Sequence, residues 1–323
     1  MNRGGMNSDN REDLLARVAS LYYEYDYSQQ QISEMLPTSR SNVSRLLKEA
    51  KQKGLVEIRI HKRIPTAPQT ERELRERFGL HQAMVVDQRD VGYETLLASA
   101  GQLAAWYIEE LLRPNAVLAI AWGTGVAASV NAFAIHPVMH TEVVQMLGSV
   151  GNSVSEIDGP DLARRLATKL GGQYFYLHAP LIVDSRATRD TFLGQSMIQH
   201  TLAQARRAQI AIVGVGTVDP ESSSFLRAGH MTREQLLELR AQGVVGETGG
   251  QYFDINGQSN FDINQRVIAL RLDDIKNIPY VTAVACGLPK TRSILGALRS
   301  GNIKALATDS LTAEAILNED SRR

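Results

Sequence analysis

Cysteine is almost missing from this chain of 323 residues: Cys286 stands alone, inside the apolar run YVTAVAC. One cysteine cannot close an intramolecular disulfide, which excludes a disulfide scaffold and agrees with a reducing compartment. Long hydrophobic runs are missing too. The densest, AVLAIAW at 116–122, is 7 residues, whereas a membrane helix needs about 20. The opening MNRGGMNSDNREDLL contains no apolar signal-peptide core, so a cytoplasmic protein without a membrane partner is expected. With 43% hydrophobic and 22% charged residues, 25 Gly and 10 Pro, the chain is neither disordered nor collagen-like. Its length suggests two domains and a core large enough to need no stabilising metal.

Net charge is also absent, since 35 Lys and Arg balance 35 Asp and Glu. The balance is uneven along the chain. Residues 38–63 hold Arg40, Arg45, Lys48, Lys51, Lys53, Arg59, Lys62 and Arg63 against Glu49 and Glu57 alone. A basic footprint on a mildly acidic body points to a polyanion at one end.

Around that footprint the apolar spacing predicts three helices. Leu14/Leu15, Val18, Leu21/Tyr22 and Tyr25 mark an amphipathic helix over 11–25. Ser28 can cap a short second helix with a stripe of Ile32, Met35 and Leu36, which Pro37 ends. Ser39 is a suitable N-cap for a third, with Val43, Leu46, Leu47 and Ala50 on one face and Arg40, Ser41, Ser44, Arg45, Lys48 and Lys51 on the other. Gly54 stops it, and LVEIRIH alternates like a strand, the expected wing. The arrangement reads as a winged helix-turn-helix over residues 1–62 whose last helix enters the major groove of DNA. Arg45 can pair with guanine and Asn42 with adenine. Ser39, Arg40, Lys48, Lys51, Arg59 and Lys62 suit phosphate contacts that fix register. A three-helix bundle with a merely solvated basic face is the plainer alternative, disfavoured by the short second helix, the proline turn and the wing together. A single short helix reads few base pairs, so a homo-oligomer on related half-sites is expected.

The segment YSQQQISEMLPTSRSNVSRLLKEAKQKGLVEI resembles the N-terminal region of the SorC/DeoR-type sugar-binding transcriptional regulators. Ser39, Arg40, Val43, Ser44, Arg45, Leu46, Leu47 and Gly54 match that family's recognition-helix pattern.

Pro65 and Pro68 stiffen the exit from this region, and a charged helix with Leu74 and Phe78 on one side follows; residues 63–80 read as a linker or spacer helix. From 81 to 323 short apolar runs alternate with helical patterns, the mark of βαβ units and a parallel sheet. Strands are expected at QAMVVD, AVLAIAW, EVVQML, QYFYLH, QIAIVGVG, RVIALRL, YVTAVAC and KALATD. Helices are expected near 93–112, 125–134, 159–170, 188–206, 231–241, 289–300 and 311–317. The fold class is α/β, with a large three-layer Rossmann-like domain after the DNA-reading one.

Ligands in such sheets bind beyond the strands' carboxyl ends. Gly123-Thr124-Gly125 follows AVLAIAW, Gly148, Ser149, Gly151 and Asn152 follow EVVQML, and Gly214, Gly216 and Thr217 follow QIAIV. Backbone N–H groups at such a helix start favour phosphate or another oxygen-rich group, although any one of these glycines could be purely steric. Glu247 and Asp254 lie beside glycine turns, Lys290 opens a helix after YVTAVAC, and Asp309 follows KALATD. A cation at a helix start opposes the dipole, so Lys290 suits an anionic ligand or a carboxylate partner. For Asp254 and Asp309 a turn or cap role weighs as much as ligand contact. No dinucleotide or nucleoside-triphosphate motif occurs, and no cofactor is expected. His136 and His140 flank Pro137 without an acidic third ligand, and neither Ser149 nor Ser196 has a nucleophile setting.

AIAWGTG, VVQMLGSVG, AIVGVG, GVVGETGGQYFDINGQ and CGLPKTRSILGALRSGNIKALATDSLTAEAIL continue the resemblance over nearly the whole chain. The resemblance implies a second domain similar to sugar-phosphate isomerase folds. It implies a sugar, sugar phosphate or related phosphorylated effector that controls binding to the operator of a carbohydrate or polyol catabolic operon, by a dimer or tetramer. It places Gly123, Thr124, Asp254 and Lys290 at the effector site. Glu247 stands where the family usually has Asp, and Cys286 where it often has Gly. A sugar-phosphate isomerase or lyase is the enzymatic alternative, with Lys290 as a Schiff-base candidate. The attached DNA-reading region argues against it, since fold alone does not license chemistry.

Overall fold

The computed structural model describes residues 8–56, 64–136, 139–150 and 157–322. The chain divides into two compact units, Met1–Arg63 and Ile64–Arg323.

The first unit holds α1 (Ser8–Tyr23), α2 (Gln29–Met35) and α3 (Arg40–Gln52). Leu15, Val18, Ile32, Val43, Leu46, Leu47 and Ala50 close into one small core. Ser28 caps α2 in a reciprocal box with Gln31, and the Ser39 hydroxyl accepts from the Asn42 N–H at 3.2 Å to start α3. Two expected core positions differ. The first helix ends at Tyr23, the backbone turns at Asp26 (φ 55°), and Tyr25 is 67% exposed. On α2 the buried neighbour of Ile32 is Ser33, whose hydroxyl donates to the Gln30 carbonyl at 2.7 Å, while Met35 faces solvent. Of the expected wing all but Leu55 and Val56, and with it Arg59 and Lys62, lies outside the described residues, which omit 57–63.

The second unit begins with α4 (Pro68–Phe78), β1 (Gln82–Val86), α5 (Tyr93–Leu111), β2 (Val117–Ile120), α6 (Thr124–Ala132), β3 (Glu142–Gln145), α7 (Gly159–Lys169) and β4 (Gln173–Phe175). It continues through α8 (Arg186–Leu193), α9 (Ser196–Arg206), β5 (Ile210–Gly214), β6 (Gly216–Thr217), α10 (Ser224–Arg227), α11 (Arg233–Ala241), β7 (Val244–Thr248) and β8 (Gln251–Asp254). The last elements are α12 (Leu272–Lys276), β9 (Tyr280–Val284), α13 (Thr291–Arg299), β10 (Ala305–Asp309) and α14 (Ser310–Asp320). Seven parallel strands pair in the order β1-β10-β9-β5-β2-β3-β4. The inner strands are continuous apolar runs because both faces are covered, while edge strand β4 is largely exposed. Met84 and Val86 join Leu97, Ala100 and Ala104 of α5 on one face, whereas Ala83 and Val85 join Leu74 of α4 on the other.

From β2 the chain steps outward to β3 and β4, and from β5 it steps the opposite way to β9 and β10. The reversal leaves a crevice between the carboxyl ends of β2 and β5, where ligands of doubly wound sheets bind.

Several expectations differ here. Leu74 is fully buried in the large core, so α4 is integral to the second unit and not a free spacer. The helix expected over 188–206 breaks at Gly194 into α8 and α9. RVIALRL enters no named strand; its Val267 and Ala269 make only isolated antiparallel bridges to Ile182 and Leu147. GVVGETGGQYFDINGQ contains β7 and β8, which form with β6 a separate antiparallel sheet. Gly249 and Gly250 (φ 56° and 79°) make the two-residue hairpin turn, a geometry that favours glycine.

Candidate functional site

On α3 the amphipathic pattern resolves cleanly. Arg40, Ser41, Ser44, Arg45, Lys48 and Lys51 are all exposed, opposite the buried Val43, Leu46, Leu47 and Ala50. Arg11 of α1 fixes this helix by donating to both Glu49 oxygens, at 3.1 and 2.6 Å, and this bond holds the Glu49 carboxyl below its ordinary range. Ser39 is engaged as cap, and its hydroxyl lies 2.9 Å from that of Ser41. The half-buried Asn42 donates to the Thr38 hydroxyl at 2.8 Å and accepts from Arg45 Nη2 at 2.8 Å. Asn42 is thereby partly structural, and it orients Arg45 on the exposed face. Lys51 Nζ sits 5.6 Å from the centre of the Tyr23 ring.

At the sheet's switch point, Gly123, Thr124, Gly125, Gly216, Glu247 and Lys290 line one cleft. Gly123, three residues beyond β2, has φ 110° and caps α6 without a side-chain bond, leaving first-turn N–H groups of α6 uncapped. Its own N–H donates to the Ile157 carbonyl at 3.0 Å. Gly125 brings α6 against the Val284 carbonyl at the end of β9, where a β-carbon would collide. Gly216 leaves the space that the Glu247 carboxyl occupies.

Glu247 is 8% exposed and receives the Gly250 N–H at 3.1 Å. Burial raises its pKa to about 7, opposed by that N–H and by the charge of Lys290. Burial lowers the Lys290 pKa, with Cys286 and Glu247 acting to raise it and Arg227 to lower it. Among the described residues no carboxylate lies within ion-pair distance of its ammonium, so the anticipated partner is at most the longer-range Glu247. Burial also pushes the Cys286 thiol up, which keeps it protonated.

Other sequence candidates lie elsewhere. Gly148 is packed against the Pro180 carbonyl and donates to the Ile268 carbonyl at 2.9 Å, a steric and backbone role. Asp254 organises the turn after β8, accepting the Asn256 and Gln258 N–H groups at 2.9 and 2.8 Å. Asp309 is the N-cap of α14 and accepts the Gly287 N–H at 2.8 Å. Ser149 lies beside Pro180 at an isolated bridge, and Gly151 and Asn152 fall outside the described residues.

Sequence reasoning missed Trp122, Ser224 and Arg227. Trp122 lines the cleft and packs edge-on against Phe225 at 4.9 Å. Ser224 also lines it and accepts from Arg227 Nη2 at 3.0 Å, placing a second cation near Lys290. Neither Ser224 nor Arg227 follows a strand of the large sheet, so no strand-end signal marked them. A larger cavity of about 750 Å³ lies on the other side of the 288–291 turn, lined by Leu288, Pro289 and Thr291. The cleft, not that cavity, gathers the uncapped helix start, the buried carboxyl and the buried ammonium. Its free volume is only about 20 Å³, room for about one water.

Comparison with known proteins agrees with this architecture. A Crp-like helix-turn-helix model matches residues 13–67, and the model described as "Putative sugar-binding domain" matches residues 62–318. The deoxyribonucleoside regulator of Bacillus subtilis (strain 168) is 31% identical over 96% of this chain and 98% of its own. The transcriptional regulator LsrR of Escherichia coli (strain K12) is 30% identical over 95% of each. The full-length sorbitol operon regulator SorC from Klebsiella pneumoniae superposes with a TM-score of 0.71 at 26% identity, covering 96% of this chain and 100% of that one. The chain belongs to the SorC/DeoR family of sugar-binding transcriptional regulators. It is a DNA-binding, effector-controlled regulator rather than an enzyme. No helix among the described residues is long and apolar enough to cross a membrane.

Proposed function

We propose that the chain regulates a carbohydrate or polyol catabolic operon through a polyhydroxylated, phosphorylated effector bound in the switch-point cleft. The reading is carried by the convergence of an uncapped helix start, Lys290 and the buried Glu247 on one crevice. The first-turn N–H groups of α6 and the Lys290 ammonium take the phosphate, with Arg227 adding charge at the mouth. Glu247 accepts from a sugar hydroxyl when ionised or donates to one when protonated. Asp254, bonded within its own turn, is left out of this site. Relatives named for deoxyribonucleosides and for a sorbitol operon support a polyhydroxylated ligand.

The cleft must widen to admit such a molecule, because its present free volume is about 20 Å³. Widening gives the ligand different affinities for two arrangements of the protein, which coupling to DNA requires. The DNA-reading segment is residues 1–62, and the protein acts as a homo-oligomer, so that several copies of α3 read related half-sites. A thermal-shift screen of sugars, sugar phosphates and polyol phosphates against the full chain tests the effector reading. A phosphorylated ligand that raises the melting temperature of the wild type supports it; no stabilising ligand in any class refutes it. Light scattering that finds a monomer both free and on DNA refutes the oligomer.

A further inference from the structure

A second cavity, of about 510 Å³, opens between α8, α9 and the segment 259–273. The first residue of β8, Gln251, lines it while being 9% exposed, and its side-chain amide has no hydrogen-bond partner among the described residues. The amide is therefore a free donor and acceptor facing the cavity rather than a group sealed in the core.

The cavity is also lined by Arg186, Arg189, Arg206 and Arg271. Arg189 Nε and Nη2 donate to Asp190 Oδ1 at 2.9 and 2.7 Å, and Arg206 Nε donates to Asp274 Oδ2 at 3.1 Å. Arg186 Nε lies 3.7 Å from Asp190 Oδ2, and its Nη1 donates to Gln265 Oε1 at 3.5 Å. Arg271 Nη2 is 4.0 Å from Asp273 Oδ2, with both side chains strongly exposed. A guanidinium offers several donors in a fixed fork, and these bonds use one or two of each. Both terminal nitrogens of Arg206 and Nη1 of Arg189 have no acceptor among the described residues. The three carboxylates Asp190, Asp273 and Asp274 therefore leave donors, and an excess of positive charge, around a polar cavity.

We infer that this groove is a second ligand site, separate from the switch-point cleft, for a small polyanion bearing phosphate or carboxylate groups. The guanidinium forks take the anionic groups, and the Gln251 amide pairs with an adjacent polar atom. The volume falls within the range of small-molecule pockets, roughly 300–1,000 Å³. The two sites share a hairpin turn, since Gln251 follows Gly250, whose N–H holds Glu247.

Calorimetric titration of the full-length protein with pyrophosphate, and separately with citrate, tests the inference. Saturable binding is expected for the wild type and for Lys290→Ala. In both backgrounds Arg271→Glu and Gln251→Glu should each weaken it about tenfold or more. Arg271 is strongly exposed, so its variant keeps the test valid if the Gln251 variant folds poorly. Binding of only one anion supports the site and assigns it to phosphate or to carboxylate chemistry. The inference is overturned if neither anion binds, if binding survives Arg271→Glu, or if Lys290→Ala abolishes it and so places the anion in the cleft.

Discussion

The Glu247 carboxyl occupies the volume that a β-carbon on Gly216 would need, so the absence of a side chain at one strand position fixes where a buried acid sits on its neighbour. Gly216→Ala should force the carboxyl away from the Gly250 N–H and cost about 1–3 kcal/mol by overpacking. Urea denaturation measures this. In a double-mutant cycle with Glu247→Ala most of the cost should vanish, because the second substitution removes the colliding group. Additive effects of the two changes would place the strain elsewhere.

Glu247 also predicts a pH dependence. Its pKa is raised by burial from 4.5 to about 7 in the folded protein. A carboxyl with a raised folded pKa stabilises fully below its unfolded pKa and loses that contribution as pH rises through the folded value. Stability should therefore fall between about pH 4.5 and pH 7, by on the order of a few kcal/mol for a fully buried group. In Glu247→Gln that portion of the slope should disappear. Urea midpoints taken through this range decide it, and identical profiles for the two proteins would refute the assignment.

How much of this was legible beforehand depended on whether the signal was local. The third helix declared itself through Ser39, its buried stripe and its basic face, all within one turn periodicity. Strands such as IAIVG were legible because a strand buried on both faces must be continuously apolar. The hairpin of β7 and β8 was not, since its glycines read equally well as loops and only pairing with β6 makes them a sheet. RVIALRL misled for the opposite reason: an apolar run can be buried as an extended connection without joining a ladder. Lys290 was recognised after a strand and Glu247 beside a glycine turn, whereas Ser224 lines the cleft from α10 and Arg227 acts on Lys290 through its charge, a placement that only the tertiary fold creates. Asp254 had the residue type and the position of a ligand, yet the N–H groups of Asn256 and Gln258 claim its carboxylate.

On the DNA side, Arg45 is exposed and oriented by Asn42. Arg45→Ala should cost about 1–3 kcal/mol at an operator selected from random DNA while sparing non-specific binding. Lys51→Ala should weaken both kinds of binding alike and reduce the salt slope by about one, the signature of a lost phosphate contact. Fluorescence anisotropy at several salt concentrations separates the two. Equal losses on operator and random DNA for Arg45→Ala would remove it from base readout.

Lys290 carries the sharpest expectation for regulation. Its ammonium is desolvated and lacks a short ion pair among the described residues, so an anion entering the cleft meets an unspent charge. Losing a charge-assisted contact to phosphate costs about 2 kcal/mol or more when the partner is left buried. Lys290→Ala should therefore raise the effector concentration needed for half-maximal response at least about thirtyfold. Operator affinity without effector should stay within about threefold, since the substitution removes no DNA contact and relieves rather than creates a buried charge. Lys290→Arg is the informative companion, because it keeps the charge but replaces a compact donor with a planar fork too bulky for a cleft of about 20 Å³. It should respond poorly to effector while remaining able to bind operator. Effector titrations on a labelled operator fragment measure all three proteins together. A Lys290→Ala protein that responds at wild-type concentrations would move the effector site away from the switch point. A wild-type protein that turned the effector over to product would instead restore the isomerase or lyase reading.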